Sequence, residues 1–285
     1  MVGVVSLKAR LSGVLSQHEI EVLYNSFDIV GDIAILRIPK ALESRGEMIA
    51  DAVMQVNKHV KTVLCQVSPV SGEYRLRELR WLRGEKRTET VHKEHGCLFK
   101  VDLAKCYFSP RLLYERMRIA KQVKPGEVIV NMFSGVGCFS IIIAKHSKAG
   151  KVYSIDINPD AVKYMQMNIA LNKVEDIVEA IEGNSRDVIL NRLKGIADRV
   201  LMPLPEKAYE YLSYALMALK QGGGIIHYYD FEHASRGENP LAKITEKVSW
   251  KLSDMKVDFN VAFARIVRSV GPRWYRVVLD IFIRE

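Results

Sequence analysis

No run of apolar residues in this 285-residue chain approaches the roughly 18 needed to cross a bilayer, and its first residues lack a secretion-signal pattern. Cysteine is scarce. Cys65, Cys97, Cys106 and Cys138 form no C-x-x-C pair, which argues against both a disulfide framework and a zinc site. Buried thiols in a reducing cytoplasm are the expectation, with no metal and no membrane partner. There are no internal repeats and no low-complexity tracts. Acidic residues are in deficit, 33 against 42 Lys and Arg, giving a net charge of +9 that suits a polyanionic partner. What remains is an ordinary globular composition, 48% apolar and 26% charged, long enough for two domains with real cores.

The stretch Asn131-Met132-Phe133-Ser134-Gly135-Val136-Gly137-Cys138 lies between the apolar runs Glu127–Val130 and Ile141–Ala144. Strand, glycine turn and helix in that order build a nucleotide-cofactor site. Glycines let the backbone turn sharply and approach a ligand, and the following helix aims N–H groups at it. A second strand, Lys151–Asp156, ends in a carboxylate placed to grip ribose hydroxyls. Gly135-x-Gly137-x-x-Ser140 nearly fits a dinucleotide fingerprint as well. Two features favour S-adenosylmethionine instead. The form Phe133-Ser134-Gly135-Val136-Gly137 resembles motif I of the Rossmann-like methyltransferases. The runs Val257–Val270 and Trp274–Ile283, separated only by Gly271-Pro272-Arg273, read as the antiparallel hairpin that closes such a sheet.

Three basic clusters make RNA or DNA the favoured partner. Lys105–Lys124 holds six Lys or Arg and a single acid, Glu115. Tyr74–Arg87 interleaves Arg75, Arg77, Arg80, Arg83, Lys86 and Arg87 with Tyr74 and Trp81, and the hairpin adds Arg265, Arg268, Arg273 and Arg276. The first hundred residues read as a separate unit, with strands at Val22–Tyr24, Ile29–Ile38, Val63–Val67, Glu73–Leu79 and Cys97–Val101, and a helix over Ala41–His59. This gives a small α+β domain over 1–103 and an α/β domain over 104–285. At the join, Ser109 suits an N-cap and Pro110 a first helical position. The helix that follows has Leu113, Met117 and Ala120 on one face, and Arg111, Glu115 and Arg118 on another. Periodicity alone leaves Glu115 open between an ion-paired surface acid and a functional one.

Several blocks together resemble the archaeal and eukaryotic tRNA guanine-37 N1-methyltransferase family. They are Phe27–Ile33, Gly72–Leu79, Val91–Gly96, Tyr107–Arg111 with Glu115-Arg116, the Asn131 loop, Ile155–Pro159 and Ile226–Tyr229. The resemblance implies a Rossmann-like class I methyltransferase domain behind an RNA-contacting N-terminal α+β domain, and methyl transfer from S-adenosyl-L-methionine to N1 of guanosine beside the tRNA anticodon. It places the base on Glu115, the donor to guanine O6 on Arg75, and the ribose ligand on Asp156. Tyr107, Phe108 and Arg111 fall on residues that cover the cofactor, with Phe133, Gly135, Gly137, Ile157 and Pro205 around it. Asn184 falls on the reader of the adenine edge, usually Asp. Arg77, Arg80, Arg116, Arg118 and Arg273 are the expected RNA contacts.

Two departures stand out. Asn131 replaces the usual Asp that opens motif I. Met202-Pro203-Leu204-Pro205 replaces a motif in which N1-only members carry Asn-Leu-Pro, and Pro203 has neither an amide side chain nor a backbone N–H. That resembles the archaeal wyosine-pathway branch, in which one enzyme methylates N1 of guanosine and then C7 of the tricyclic imG-14. Pro203 is therefore expected in the target-base pocket, where it would leave room for both bases; a purely local backbone role is the alternative. The sister enzyme that transfers an aminocarboxypropyl group generally lacks the Arg-x-Arg-Glu and Ser-Pro-Arg-Leu blocks present here, and a non-catalytic RNA-binding protein is the rival of another class. Few residues precede Phe27, so the additional tRNA-elbow module of many members is not expected, and recognition would rest on the anticodon arm of a monomeric enzyme.

Overall fold

The computed structural model describes residues 6–284, which divide into two compact units, one ending at Pro110 and the other beginning at Arg111. The division falls beyond the expected boundary at 103 because the intervening segment belongs to the first unit. There Phe108 is buried with its ring edge-on to His92, and Tyr107 lies under Arg75.

The first unit opens with two short helices, α1 (Leu7–Leu11) and α2 (Gln17–Val22). Ser16 and Glu19 cap α2 reciprocally, so Val22–Tyr24 is a helix end and not a strand. The expected strand Ile29–Ile38 is a hairpin, β1 (Asp28–Val30) and β2 (Ile33–Leu36), folded at Gly31-Asp32. The expected helix Ala41–His59 is a 3-10 turn, Lys40–Arg45, followed by α3 (Gly46–Val56). β3 (Thr62–Gln66) lies parallel to β2, and β4 (Leu79–Gly84) completes a four-stranded sheet. Glu73–Leu79 is not a strand. Gly72–Arg75 turns sharply, Ser71 bridges to Leu76, and pairing starts only at Leu79. A second hairpin, β5 (Glu89–Glu94) and β6 (Cys97–Asp102), turns at His95-Gly96, both at positive φ as a tight two-residue turn demands. Leu36, Leu42, Ile49, Val53, Val63 and Leu82 make the core.

The second unit begins with α4 (Leu113–Ala120), entered through a 3-10 turn at Pro110–Leu112. The strands β7 (Val128–Asn131), β8 (Lys151–Asp156), β9 (Val178–Glu182), β10 (Arg199–Met202) and β11 (Gly224–His233) are parallel. Between them run α5 (Cys138–His146), α6 (Pro159–Asn172), α7 (Ser185–Val188) and α8 (Pro205–Ala218). α6 and α8 each start on proline, as does α9 (Pro240–Asp254), where the missing N–H costs nothing. β12 (Phe259–Gly271) and β13 (Trp274–Ile283) form the expected terminal hairpin, with β13 antiparallel to β11. The sheet order β12-β13-β11-β10-β7-β8-β9 puts β7 beside both β8 and β10. That reversal opens a crevice at the carboxyl ends of β7 and β10, where open parallel sheets bind ligands. Val130, Ile155, Val200, Leu212, Tyr228 and Leu279 are at its core. No helix among the described residues is long and apolar enough to cross a membrane, and no His, Cys, Asp and Glu group there could hold a metal.

Candidate active site

The loop after β7 stands at this crevice. Gly135 and Gly137 both have positive φ, and Gly137 opens α5 without a side-chain cap. The Gly135 N–H donates to Asp156 Oδ2 at 2.6 Å, and the Asn158 N–H donates to Oδ1 at 3.0 Å. Burial pushes the Asp156 carboxyl up, and these N–H groups oppose it. The carboxylate therefore ends β8 directly against the glycine turn. Ile157 follows it, half-buried. Asn131 is fully buried, and its amide donates to Ser140 Oγ on α5 at 3.1 Å. The ring of Phe133 meets Tyr211 edge-on at 5.4 Å, and the Tyr211 hydroxyl donates to Asn184 Oδ1 at 3.1 Å. The same oxygen caps the Arg186 N–H, so Asn184 presents its NH₂ side to any further partner. Across the crevice, Pro203 is half-buried and its carbonyl accepts from Arg276 at 2.9 Å, while Pro205 is the buried first residue of α8.

A second constellation lies in the same unit. Glu115 on α4 is 1% exposed, although it was open to a surface reading. Tyr229 O–H donates to its Oε1 at 2.7 Å, and Arg118 donates to Oε1 and Oε2 at 2.7 and 3.0 Å. The other edge of Arg118 grips Asp280, at 2.6 and 3.0 Å. His227 stands directly opposite Asp280 in the β11–β13 ladder, and its Nδ1 is 2.6 Å from Oδ1. Arg199 Nη1 lies 2.6 Å from His227 Nε2 and has only protons to offer. Nε2 is therefore the acceptor and Nδ1–H the donor: the ring is neutral. Burial drives the His227 pKa down, consistent with that state. Burial alone would push the Asp280 carboxyl up, but the bonds from His227 and Arg118 outweigh it and hold it far below the usual carboxylate range. Arg199 closes the chain on Glu127 at 2.8 and 3.1 Å.

The expected site residues thus separate by unit. Arg75, Arg77, Arg80, Tyr107 and Phe108 belong to the first. Arg75 sits at φ +55°, a strained backbone for a non-glycine residue, with its guanidinium 4.6 Å above the Tyr107 ring. Arg77 donates to Gln66 Oε1, and Arg80 is exposed. In the second unit Arg111, expected to cover the cofactor, and Arg273, an expected RNA contact, are both exposed. Arg116 and Arg118 are not on the surface. Arg116 is 3% exposed with its guanidinium 5.8 Å from the Phe139 ring, and Arg118 is committed to two carboxylates. Both are expected RNA contacts; Arg118 is held by two acidic partners. The sequence reading missed Tyr229, His227, Asp280 and Arg199. The available signal was a polar or charged residue interrupting an apolar buried strand, as Asp280 does between Leu279 and Ile281.

Comparison with known proteins shows the family. A model described as the TRM5/TYW2 methyltransferase domain fits residues 90–257, and one described as the TYW2 N-terminal domain fits residues 7–88. The tRNA (guanine(37)-N(1))-methyltransferase Trm5b of Pyrococcus abyssi is 43% identical over 258 residues, covering 90% of this chain and 74% of that protein. The tRNA 4-demethylwyosine(37)-methyltransferase Taw21 of Saccharolobus solfataricus is 41% identical over 261 residues, covering 91% and 94%. Taw22 of Nanoarchaeum equitans, named for both activities, is 30% identical over 307 residues, covering 90% and 99%. Among solved structures, a complex of aTrm5 with tRNALeu superposes with a TM-score of 0.85 at 38% identity, over 100% of this chain and 80% of that one. Pyrococcus horikoshii TYW2 with MeSAdo gives 0.79 at 32%, over 98% of each. A glycine loop at the switch point of a seven-stranded sheet, a carboxylate closing β8, and a family match over more than half the length lead to one assignment: the chain belongs to the TRM5/TYW2 methyltransferase family.

Proposed function

We propose that this protein methylates the nucleoside at position 37 of tRNA, using S-adenosylmethionine, with N1 of guanosine as a target. The buried carboxylate of Glu115 carries the reading. N1 of guanine bears a proton that must leave as the methyl group arrives, and a fixed carboxylate is the group for that task. When bound, S-adenosylmethionine supplies a methyl group activated by a sulfonium. The residues present fit it. The turn at Gly135 and Gly137 admits close approach, Asp156 faces the ribose position, and Asn184 offers an amide to the adenine edge. The family resemblance assigns Tyr107 and Arg111 to the donor, and Arg75 to O6, where a guanidinium would stabilise growing negative charge. With the donor held there, Glu115 would take the N1 proton as N1 accepts the methyl group and the donor leaves as a neutral thioether. Exposed Arg80 and Arg273 serve the tRNA backbone, and the buried free thiols suit a reducing cytoplasm.

A second target, C7 of 4-demethylwyosine (imG-14), is favoured by Pro203 and by the 41% identity to Taw21, a protein named for methylating 4-demethylwyosine. Carbon methylation also ends in loss of a proton, so one base serves both steps. With labelled donor and two tRNAs, one carrying guanosine 37 and one imG-14, both substrates are expected to take up label. Label on neither rejects the assignment, and label on the first alone rejects dual action. Glu115→Gln should slow transfer by about 10²–10⁴-fold at saturating tRNA, with donor affinity held.

A further inference from the structure

We propose that Tyr229, and Asp280 acting through Arg118, are positioning residues that fix the Glu115 carboxylate and reserve its Oε2 for the substrate proton; this rests on Glu115 being the base. Oε1 is saturated. It accepts the Tyr229 hydroxyl at 2.7 Å and two nitrogens of Arg118 at 2.7 and 3.1 Å. Among the described residues Oε2 accepts only the Arg118 Nε, at 3.0 Å, with Arg265 further off at 4.0 Å. A carboxylate oxygen has two lone pairs, so Oε2 keeps one available.

Orientation alone would be self-defeating if Arg118 bound Glu115 as an isolated ion pair, since an undivided positive charge opposes protonation of its partner. Asp280 divides that charge by taking the other edge of the guanidinium in a bidentate grip. Asp280 is itself fixed by three donors: Arg118, the Gln122 amide at 3.1 Å and the neutral His227 ring at 2.6 Å. β11, β13 and α4 thus converge on one carboxylate, and a side chain held from three elements cannot swing away from its task. Arg265, stacked 4.5 Å from the exposed Tyr114 ring, borders the same oxygen.

The test is a double-mutant cycle in the full chain, read as single-turnover methyl transfer at saturating tRNA and donor. Tyr229→Phe and Asp280→Asn should each slow the step by about tenfold or more, with the donor Kd from calorimetry unchanged. In a Glu115→Gln background neither should slow it further, because the group they position is gone. A loss of the same factor in both backgrounds, or a parallel loss of donor affinity, makes the residues merely structural and overturns the proposal. Wild-type rates for both single variants overturn it as well, while a slow Glu115→Gln leaves the base in place. A Glu115→Gln enzyme at wild-type rate instead removes the base itself. Should Asp280→Asn fail to fold by thermal melting, Tyr229→Phe, which deletes one oxygen, decides the question alone.

Discussion

At Gly137 the backbone sits at φ +91°, and a Cβ there would lie 3.0 Å from Met165 Cγ and 3.1 Å from Ile141 Cδ1. Two costs then combine, a left-handed conformation and a tight contact at the root of α5. Gly137→Ala should therefore destabilise the protein by about 1–2 kcal/mol in denaturant unfolding and weaken donor binding measured by calorimetry. Unchanged affinity would separate this turn from the donor site. Asn131 shows the opposite kind of constraint. A buried carboxylate would need a counter-charge, whereas the neutral amide is satisfied by the Ser140 hydroxyl.

Among the elements, α4 departs most from what its periodicity suggests. Leu113 and Met117 share a face, yet Leu113 is 46% exposed, while Leu112, Glu115, Arg116 and Ile119 turn inward. Polar partners override the apolar stripe, because two buried carboxylates and an arginine satisfy one another. Leu113→Gln should accordingly change stability by no more than about 0.5 kcal/mol. Ile119→Ala should cost about 2–5 kcal/mol in the same unfolding assay. Equal costs would show that the helix packs by its apolar stripe after all. The glycine loop, the acid ending β8 and the β12–β13 hairpin were legible because each is local: a few residues state the turn and its neighbours. The turn at Gly72–Arg75 was not, since Tyr74 and Leu76 alternate with Arg75 and Arg77 like a strand while Gly72 and a left-handed Arg75 bend the chain. Nor was the partnership of His227 with Asp280, which only the β11–β13 register brings together, or the bridge that Arg118 makes from Asp280 to Glu115.

Across the molecule, an excess of positive charge outside coexists with an interior in which Glu115, Arg118, Asp280, Arg199 and Glu127 alternate in sign around one neutral histidine. Such an array ties stability to pH through that histidine. The His227 pKa is lowered in the folded protein from its ordinary 6.5 by burial. Below about pH 6.5 the unfolded chain binds a proton there that the folded chain refuses. Stability is then fully present above that pH and falls with acidification, approaching about 1.4 kcal/mol per pH unit for one such site. Asp280 adds a later loss. Its folded pKa is depressed, so its contribution persists above the ordinary carboxylate value of 3.8 and disappears only as pH falls toward the folded value. His227→Asn keeps an N–H for Asp280 but does not titrate. It should be less stable than the parent at pH 7.5, yet the gap in unfolding free energy should narrow steadily between pH 6.5 and 5, as the parent alone loses stability. Parallel curves over that range would mean that His227 is not held neutral, and that the array closes on a charged imidazolium instead.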